Sequence, residues 1–591
     1  MSSEVLDEPM SLTALAEGTW NPIVLENQLP GNPESEWGIV GAGDDNIEGF
    51  ATDISVAQGQ TVNFKINTDS TNYLIDIYRI GYYQGNGARK VDSFEIDLPT
   101  AQVQPIPLFD PELRMVDAGN WNVSATWDVP IEATSGVYFA KMTRLDSTAG
   151  QNIIPFIVRD DDTPSDITFQ TSDTTWQAYN WWGGYNLYGS IADGSRAFGV
   201  SYNRPIVTRE PNLASGPQDF IFSVEYPAIR WLEQNGYDVN YISGVDSARD
   251  GSQLLNTNTN LFLSVKHDEY WSAEQRTNVE AARDDGTNLA FWGGNSVYWK
   301  VRWETSIDAS GTPYRTMVTY KTAREGFNSQ NIDPVDGTST WRDPVHGPYL
   351  PENALQGTIF TVDSYRLDTI EIPYALSNFR FWSNTDVANL QSGQVYSLTQ
   401  NLLGYEWDSD LDNGFRPDGI INLSSTSVEV QQLLLDYGQS TGNGTATHAL
   451  TLYRADSGAL VFGAGTVYWA WGLDDNHDLE ATPVDPNVQQ AMVNLFADMG
   501  IQPETLMASL VLASQTTDAI APTSTITSHS RGTTLPAYAP ITLTGTATDT
   551  GGGIVAVVEV STDGGAHWHR ATGFENWTYT CFRNSDPVVM A

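Results

Sequence analysis

The hydrophobic pattern of this 591-residue chain changes period twice, and that change limits the fold more than any other feature. Up to about residue 160 the apolar residues come in short runs that alternate with polar ones: Val62, Phe64 and Ile66 share one face, and Thr61, Asn63 and Lys65 the other. A period of two is the mark of a half-buried antiparallel strand. Residues 73–80 and 136–144 read the same way and no long helical pattern intervenes, so a β-sandwich is expected over 20–162. Residues 1–19 are expected to form a disordered leader.

From 163 to 505 apolar strands alternate with amphipathic helices. Strands are expected at 238–242, 261–265, 288–292 and 459–463. Ser272-Ala273-Glu274-Gln275 is a capping-box pattern, with Gly286 closing the helix that follows. Asp485-Pro486 opens a second helix and 222–234, ending at Asn235-Gly236, is a third. Such alternation predicts a mostly parallel, doubly wound sheet covered on both faces. Residues 303–458 hold little helix and read as a β-rich insertion of the same domain. A Ser/Thr/Ala-rich linker, 506–520, leads to a second β module over 521–591, with alternating runs at 541–547 and 554–560 and a glycine-containing hairpin turn at 561–565. It resembles an immunoglobulin- or fibronectin-like module. At about 70 residues against about 100 for a full sandwich, and with alternation abandoned after Tyr579, a partial or truncated module is expected.

The balance of 29 Lys+Arg against 73 Asp+Glu gives a net charge of −44, which repels phosphate backbones and anionic membrane surfaces, so neither nucleic acid nor membrane is an expected partner. No stretch approaches the ~20 apolar residues of a membrane span. The first residues lack a basic, then apolar, secretory signal; an extracellular or cell-surface location by another route is expected, with the cytoplasm as the alternative. The single cysteine, Cys581, excludes an intramolecular disulfide and a multi-thiolate zinc site. Asp408, Asp410 and Asp412 offer hard oxygen ligands that make calcium a second metal option, although Gly414 and Gly419 break the EF-hand spacing.

The densest group of ionisable residues is Lys266-His267-Asp268-Glu269-Tyr270-Trp271, directly after one expected strand and before a capped helix. In a doubly wound sheet ligands bind beyond the carboxyl ends of the strands, where this turn must lie. The plain structural alternative has His267 and Asp268 capping the helix and Tyr270 packing. Gly293-Gly294-Asn295 reads as a tight turn, Asp474 to Asp478 as a solvated one, and Trp181, Trp182, Trp469 and Trp471 as either a cavity wall or core. No Gly-x-Ser-x-Gly elbow is present.

The run 261–299, with His267-Asp268-Glu269-Tyr270, then Gly293-Gly294-Asn295 and Tyr298-Trp299, resembles the large (beta) subunit family of N,N-dimethylformamidase, which carries a His-Pro-Glu-Tyr turn followed by Gly-Gly-Asn and Tyr-Trp. Thr174 to Asn180, Ser201 to Pro205, Gly404 to Asp408 and Phe462 to Trp471 extend the likeness. The resemblance implies a glutamine-amidotransferase-like sheet and a mononuclear iron, held by two tyrosines and a glutamate, that hydrolyses a small amide. A homo-oligomer or a small companion subunit stays open as a partner. Tyr270 is then the first candidate ligand, Tyr226 or Tyr179 the second tyrosine, and Glu325, with Asp333 and Asp336 near it, the candidate carboxylate. His267, Glu269 and Glu406 form the catalytic set, Glu406 as general base. Position 268 departs from the family's proline. A non-catalytic surface-binding protein on the same fold is the competing reading.

Overall fold

The computed structural model describes residues 20–210, 216–322, 332–530, 532–533 and 539–582. It is β-rich, with many sheets and a C-terminal immunoglobulin-like domain. The N-terminal part packs a three-stranded sheet against a five-stranded one. The alternation in the strand Thr61–Thr68 does what its period requires: Val62, Phe64 and Ile66 are buried against Ile75, Ile77, Trp127 and Phe156.

Beyond it lies a seven-stranded sheet. Five of its strands run parallel: β1 (Ser165–Gln170), β2 (Val239–Ile242), β3 (Thr259–Val265), β4 (Asn288–Trp292) and β5 (Leu460–Gly463). Their spatial order is 2-1-3-4-5, so the winding reverses between β1 and β3. Two antiparallel strands from the insertion, Thr451–Arg454 and Ile421–Asn422, complete the edge beside β5. The near-continuous apolar runs of β3 and β4 follow from a sheet buried on both faces. The rest of the insertion forms a closed four-stranded barrel from Ile359–Asp363, Glu406–Ser409, Thr426–Leu435 and Ser440–His448.

The expected caps are mostly in place. The Ser272 hydroxyl accepts the Gln275 amide at 3.2 Å and Gly286 ends the helix Ala273–Asp285 at φ 107°, although the Gln275 side chain turns to Gln170 instead of closing the box. Asp485 caps Pro486–Asp498 through the Asn487 amide. The third helix is shorter than its pattern, Glu225–Gln234, because residues 221–224 form a turn.

One hydrophobic core runs from the sandwich into the parallel sheet, joining Trp37, Tyr78 and Phe139 to Phe169, Trp231 and Trp292. The C-terminal module also departs from expectation. Cys581 and Phe582 continue the strand Asn576–Phe582, pairing with Ile541 and Pro540, so the alternation does not stop at Tyr579. No helix among the described residues is long and apolar enough to cross a membrane.

Candidate functional site

The turn after β3 is tight. Lys266, directly after the strand, has φ 74°, a costly left-handed conformation for a residue with a side chain. Its carbonyl lies so close to Gly293, after β4, that a Cβ there would sit 1.7 Å from the oxygen. The turn is locked from both neighbours. The Thr175 hydroxyl, from the segment after β1, donates to the His267 carbonyl at 2.6 Å, and the Val297, Tyr298 and Trp299 amides donate to the carbonyls of Asp268 and Glu269. The winding reversal between β1 and β3 thus brings His267 and Glu269 into the crevice where such sheets bind ligands. Asp268, where the family has proline, turns inward: its carboxylate accepts from Ser264 and Gln170, and burial pushes it up to about 7.

His267 is fully enclosed. Its Nε2 lies 3.0 Å from Glu406 and 3.4 Å from Glu269, and its Nδ1 lies 3.4 Å from Asp219. Burial opposes charge on the ring, but the Glu406 and Glu269 carboxylates outweigh it and hold the imidazole well above its usual range. Burial raises Glu406 against the pull of His267, because several carboxylates share one imidazolium. The Asn295 side-chain nitrogen, on a residue at φ 51°, donates toward Glu406 (3.2 Å) and Glu269 (3.4 Å) and lies 2.9 Å from His267 Nε2.

On the other side of Glu269 stand tyrosines. The hydroxyls of Tyr179 and Tyr188 lie 2.6 Å apart, and 3.2 and 3.0 Å from Glu269 Oε2. Tyr270 is one hydroxyl further back, 2.6 Å from Tyr188, and receives the Lys321 ammonium at 2.5 Å. Burial first, then Glu269 and the neighbouring tyrosines, lift the Tyr179 phenol well above its ordinary range. The cluster forms the floor of a cavity of about 510 Å³ whose walls include Trp181, Asp219, Asn295, Tyr298 and Glu406.

The family model for "N,N-dimethylformamidase beta subunit-like, C-terminal" matches residues 74–481, more than half of the chain. The chain belongs to that family. A bacterial Ig domain matches 522–584. No curated protein matches the chain. The match to the dimethylformamidase beta subunit-like family begins inside the N-terminal sandwich, in keeping with the core shared between sandwich and sheet.

Among the described residues no three His, Cys, Asp or Glu side chains are grouped to hold a metal ion; a hard ion beside Glu269 would need further oxygen donors. Tyr179, Tyr188 and Glu269 fit that need. Their oxygens are 2.6 to 3.2 Å apart, close to the ~2.8–3.3 Å that ligands about 2 Å from one small cation must keep. An all-oxygen set with phenolates suits a hard ferric ion.

Of the residues singled out from sequence, the structure brings together His267, Glu269, Tyr270, Glu406 and Tyr179. Tyr226 requires correction as a ligand. It lies in the first turn of Glu225–Gln234, and its hydroxyl lies against Gly87 of the sandwich and 3.4 Å from Arg230, with its ring on Trp37. Glu325 lies outside the described residues. Asp333 and Asp336 are ion-paired with Arg302 and Lys300. The calcium candidates are likewise committed: Asp408 accepts the Asn295 amide and the Thr358 hydroxyl, Asp410 pairs with Arg416 and Arg570, and Asp412 pairs with His569. Asp474 and Asp478 serve Arg230 and Arg209. Trp469 and Trp471 are core, whereas Trp181 lines the cavity. Sequence reasoning missed Tyr188, Asp219 and Lys321, and took Asn295 for a plain turn residue. None of the three sits in a periodic or motif-bearing segment.

Proposed function

We propose that this chain is the catalytic subunit of an amidohydrolase that breaks a non-peptide C–N bond on the cavity floor, on a glutamine-amidotransferase-like sheet. Iron would be held by Tyr179, Tyr188 and Glu269. The observation that carries the reading is the convergence of those three oxygens beside the His267–Glu406–Asn295 group.

When bound, such an ion supplies Lewis acidity for the amide carbonyl and acidifies water. The side chains do the rest. Glu406 lines the cavity and has a raised affinity for protons, which suits a base that takes the proton of the attacking water and returns it to the departing nitrogen. His267 balances the carboxylates around it and holds Glu406 in place. Asn295 fixes the spacing of Glu406 and Glu269 through one amide. Lys321 and Tyr270 steady Tyr188 from behind. The acyl carbon gains the water oxygen, the C–N bond breaks, and the products are a carboxylic acid and an amine. A companion subunit fits the family's name as a beta subunit, and an extracellular setting fits the acidity; both belong to the same proposal.

The test is amine release from a panel of small formamides and acetamides by the iron-supplemented protein. Glu406→Gln should lower turnover by about 10²- to 10⁴-fold, the usual weight of a general base. Unchanged turnover in that variant would remove Glu406 from the chemistry.

A further inference from the structure

A five-heavy-atom amide fills on the order of 100 Å³, about three waters' share of liquid, whereas the cavity measures about 510 Å³. Most of it therefore faces some other part of a ligand. Among the residues lining it are Tyr298, Phe360 and Tyr365, the last 91% exposed. The turn of the barrel hairpin, Leu434 to Thr441, also lines it and lies against the Tyr298 hydroxyl at Gly438. Tyr437, next in the chain to the cavity-lining Gly438, is 49% exposed, and Tyr349 beside it, 6.3 Å between ring centres, is 46% exposed. Exposed tyrosines flanking a cavity mouth present flat apolar faces with polar ends.

Uncharged, bifunctional groups lie on the wall as well. Gln218, Gln432 and Gln439 carry amides that both donate and accept, and Ser440 and Thr441 add hydroxyls. Among the described residues of the wall, Asp219, Glu269, Asp363 and Glu406 carry carboxyl groups and none is Lys or Arg, which disfavours an anionic ligand. A ligand matching these features is neutral, ring-shaped with apolar faces, rich in hydroxyls, longer than the cavity, and carries an amide.

We infer that the site takes an N-acylated amino sugar within an oligosaccharide, its rings lying on Tyr365 and Tyr437 and its acyl amide reaching the floor. The inference rests on the amidohydrolase reading for the fate of the amide: water adds to the acyl carbon, the C–N bond breaks, and the acid and the free amino sugar leave.

The experiment is calorimetric titration of the full chain with the N-acetylglucosamine tetramer, the glucose tetramer, an N-acetylated alanine tetrapeptide and dimethylformamide, with free amine measured in the same samples. The expected result is binding of the N-acetylglucosamine tetramer in preference to the other probes, weakened at least about tenfold in Tyr365→Ala/Tyr437→Ala, as befits the loss of two stacking faces, with thermal unfolding of the variant unchanged. No heat from that tetramer, binding indifferent to the two tyrosines, or preference for the tetrapeptide would overturn the inference. Hydrolysis of dimethylformamide without tetramer binding removes the glycan and keeps the amidohydrolase. Tetramer binding without amine release under iron supplementation keeps the ligand class and removes the amidohydrolase.

Discussion

Asp173, at the head of the segment that carries Tyr179, is fully buried, and burial lifts its carboxyl to about 7 despite hydrogen bonds from the Gly244 amide (2.7 Å), the Tyr202 hydroxyl (2.8 Å) and the Thr171 hydroxyl (3.0 Å). The folded value lies above the unfolded value of 3.8, so the folded state binds the proton more tightly. Its contribution to stability is complete below about pH 4 and is lost as pH climbs through about 7. That difference corresponds to on the order of 4 kcal/mol at most. Urea unfolding of wild type and Asp173→Asn from about pH 4 to about pH 8 should show the wild type losing ground by a few kcal/mol over that window. A difference that does not move with pH would mean that Asp173 titrates normally. At this scale the sequence was only partly readable. His267, Glu269 and Tyr270 announce themselves because a strand, a turn and a cap fall in one short run. Tyr188 and Asp219 reach the same point only through the order of the strands, which no local pattern encodes.

The elements act as levers on that cluster. β3 and β4 supply the paired turns that hold His267 and Asn295, the segment after β1 supplies Tyr179 and Tyr188, and the barrel strand Glu406–Ser409 brings Glu406 from the insertion. The strands and caps were legible from period and end signals. The barrel was not, because long loops of no regular spacing separate its first two strands from each other and from the hairpin that completes it. The helix Glu225–Gln234 does separate work. Glu233 makes a two-pronged ion pair with Arg79 of the sandwich, 2.8 and 2.9 Å, with both side chains fully buried, and also accepts from Tyr241 and Asn27. Removing one partner of such a pair strands the other charge, which costs about 3–5 kcal/mol. Glu233→Ala should shift the denaturant midpoint accordingly; a loss below about 1 kcal/mol would place the Arg79 charge in contact with water.

In the whole molecule, the outer modules are parts of one body in different degrees. The sandwich shares the hydrophobic core of the parallel sheet and lies partly inside the family match. The immunoglobulin-like module meets the loop that follows the Glu406 strand through Arg416–Glu559, Arg570–Asp410 and His569–Asp412. From sequence the three regions were visible as changes of hydrophobic period, but the continuity between the first two was not, since Arg79 and Glu233 lie 154 residues apart. The proposed chemistry turns on whether Tyr179, Tyr188 and Glu269 hold one iron. The deciding measurement is elemental analysis together with the visible spectrum of the full chain, grown with iron and purified without chelators. The prediction is one iron per chain and a tyrosinate charge-transfer band that weakens in Tyr179→Phe and in Tyr188→Phe, with metal lost in Glu269→Gln. A folded, colourless protein that takes up no iron, or a band indifferent to both tyrosines, would contradict it.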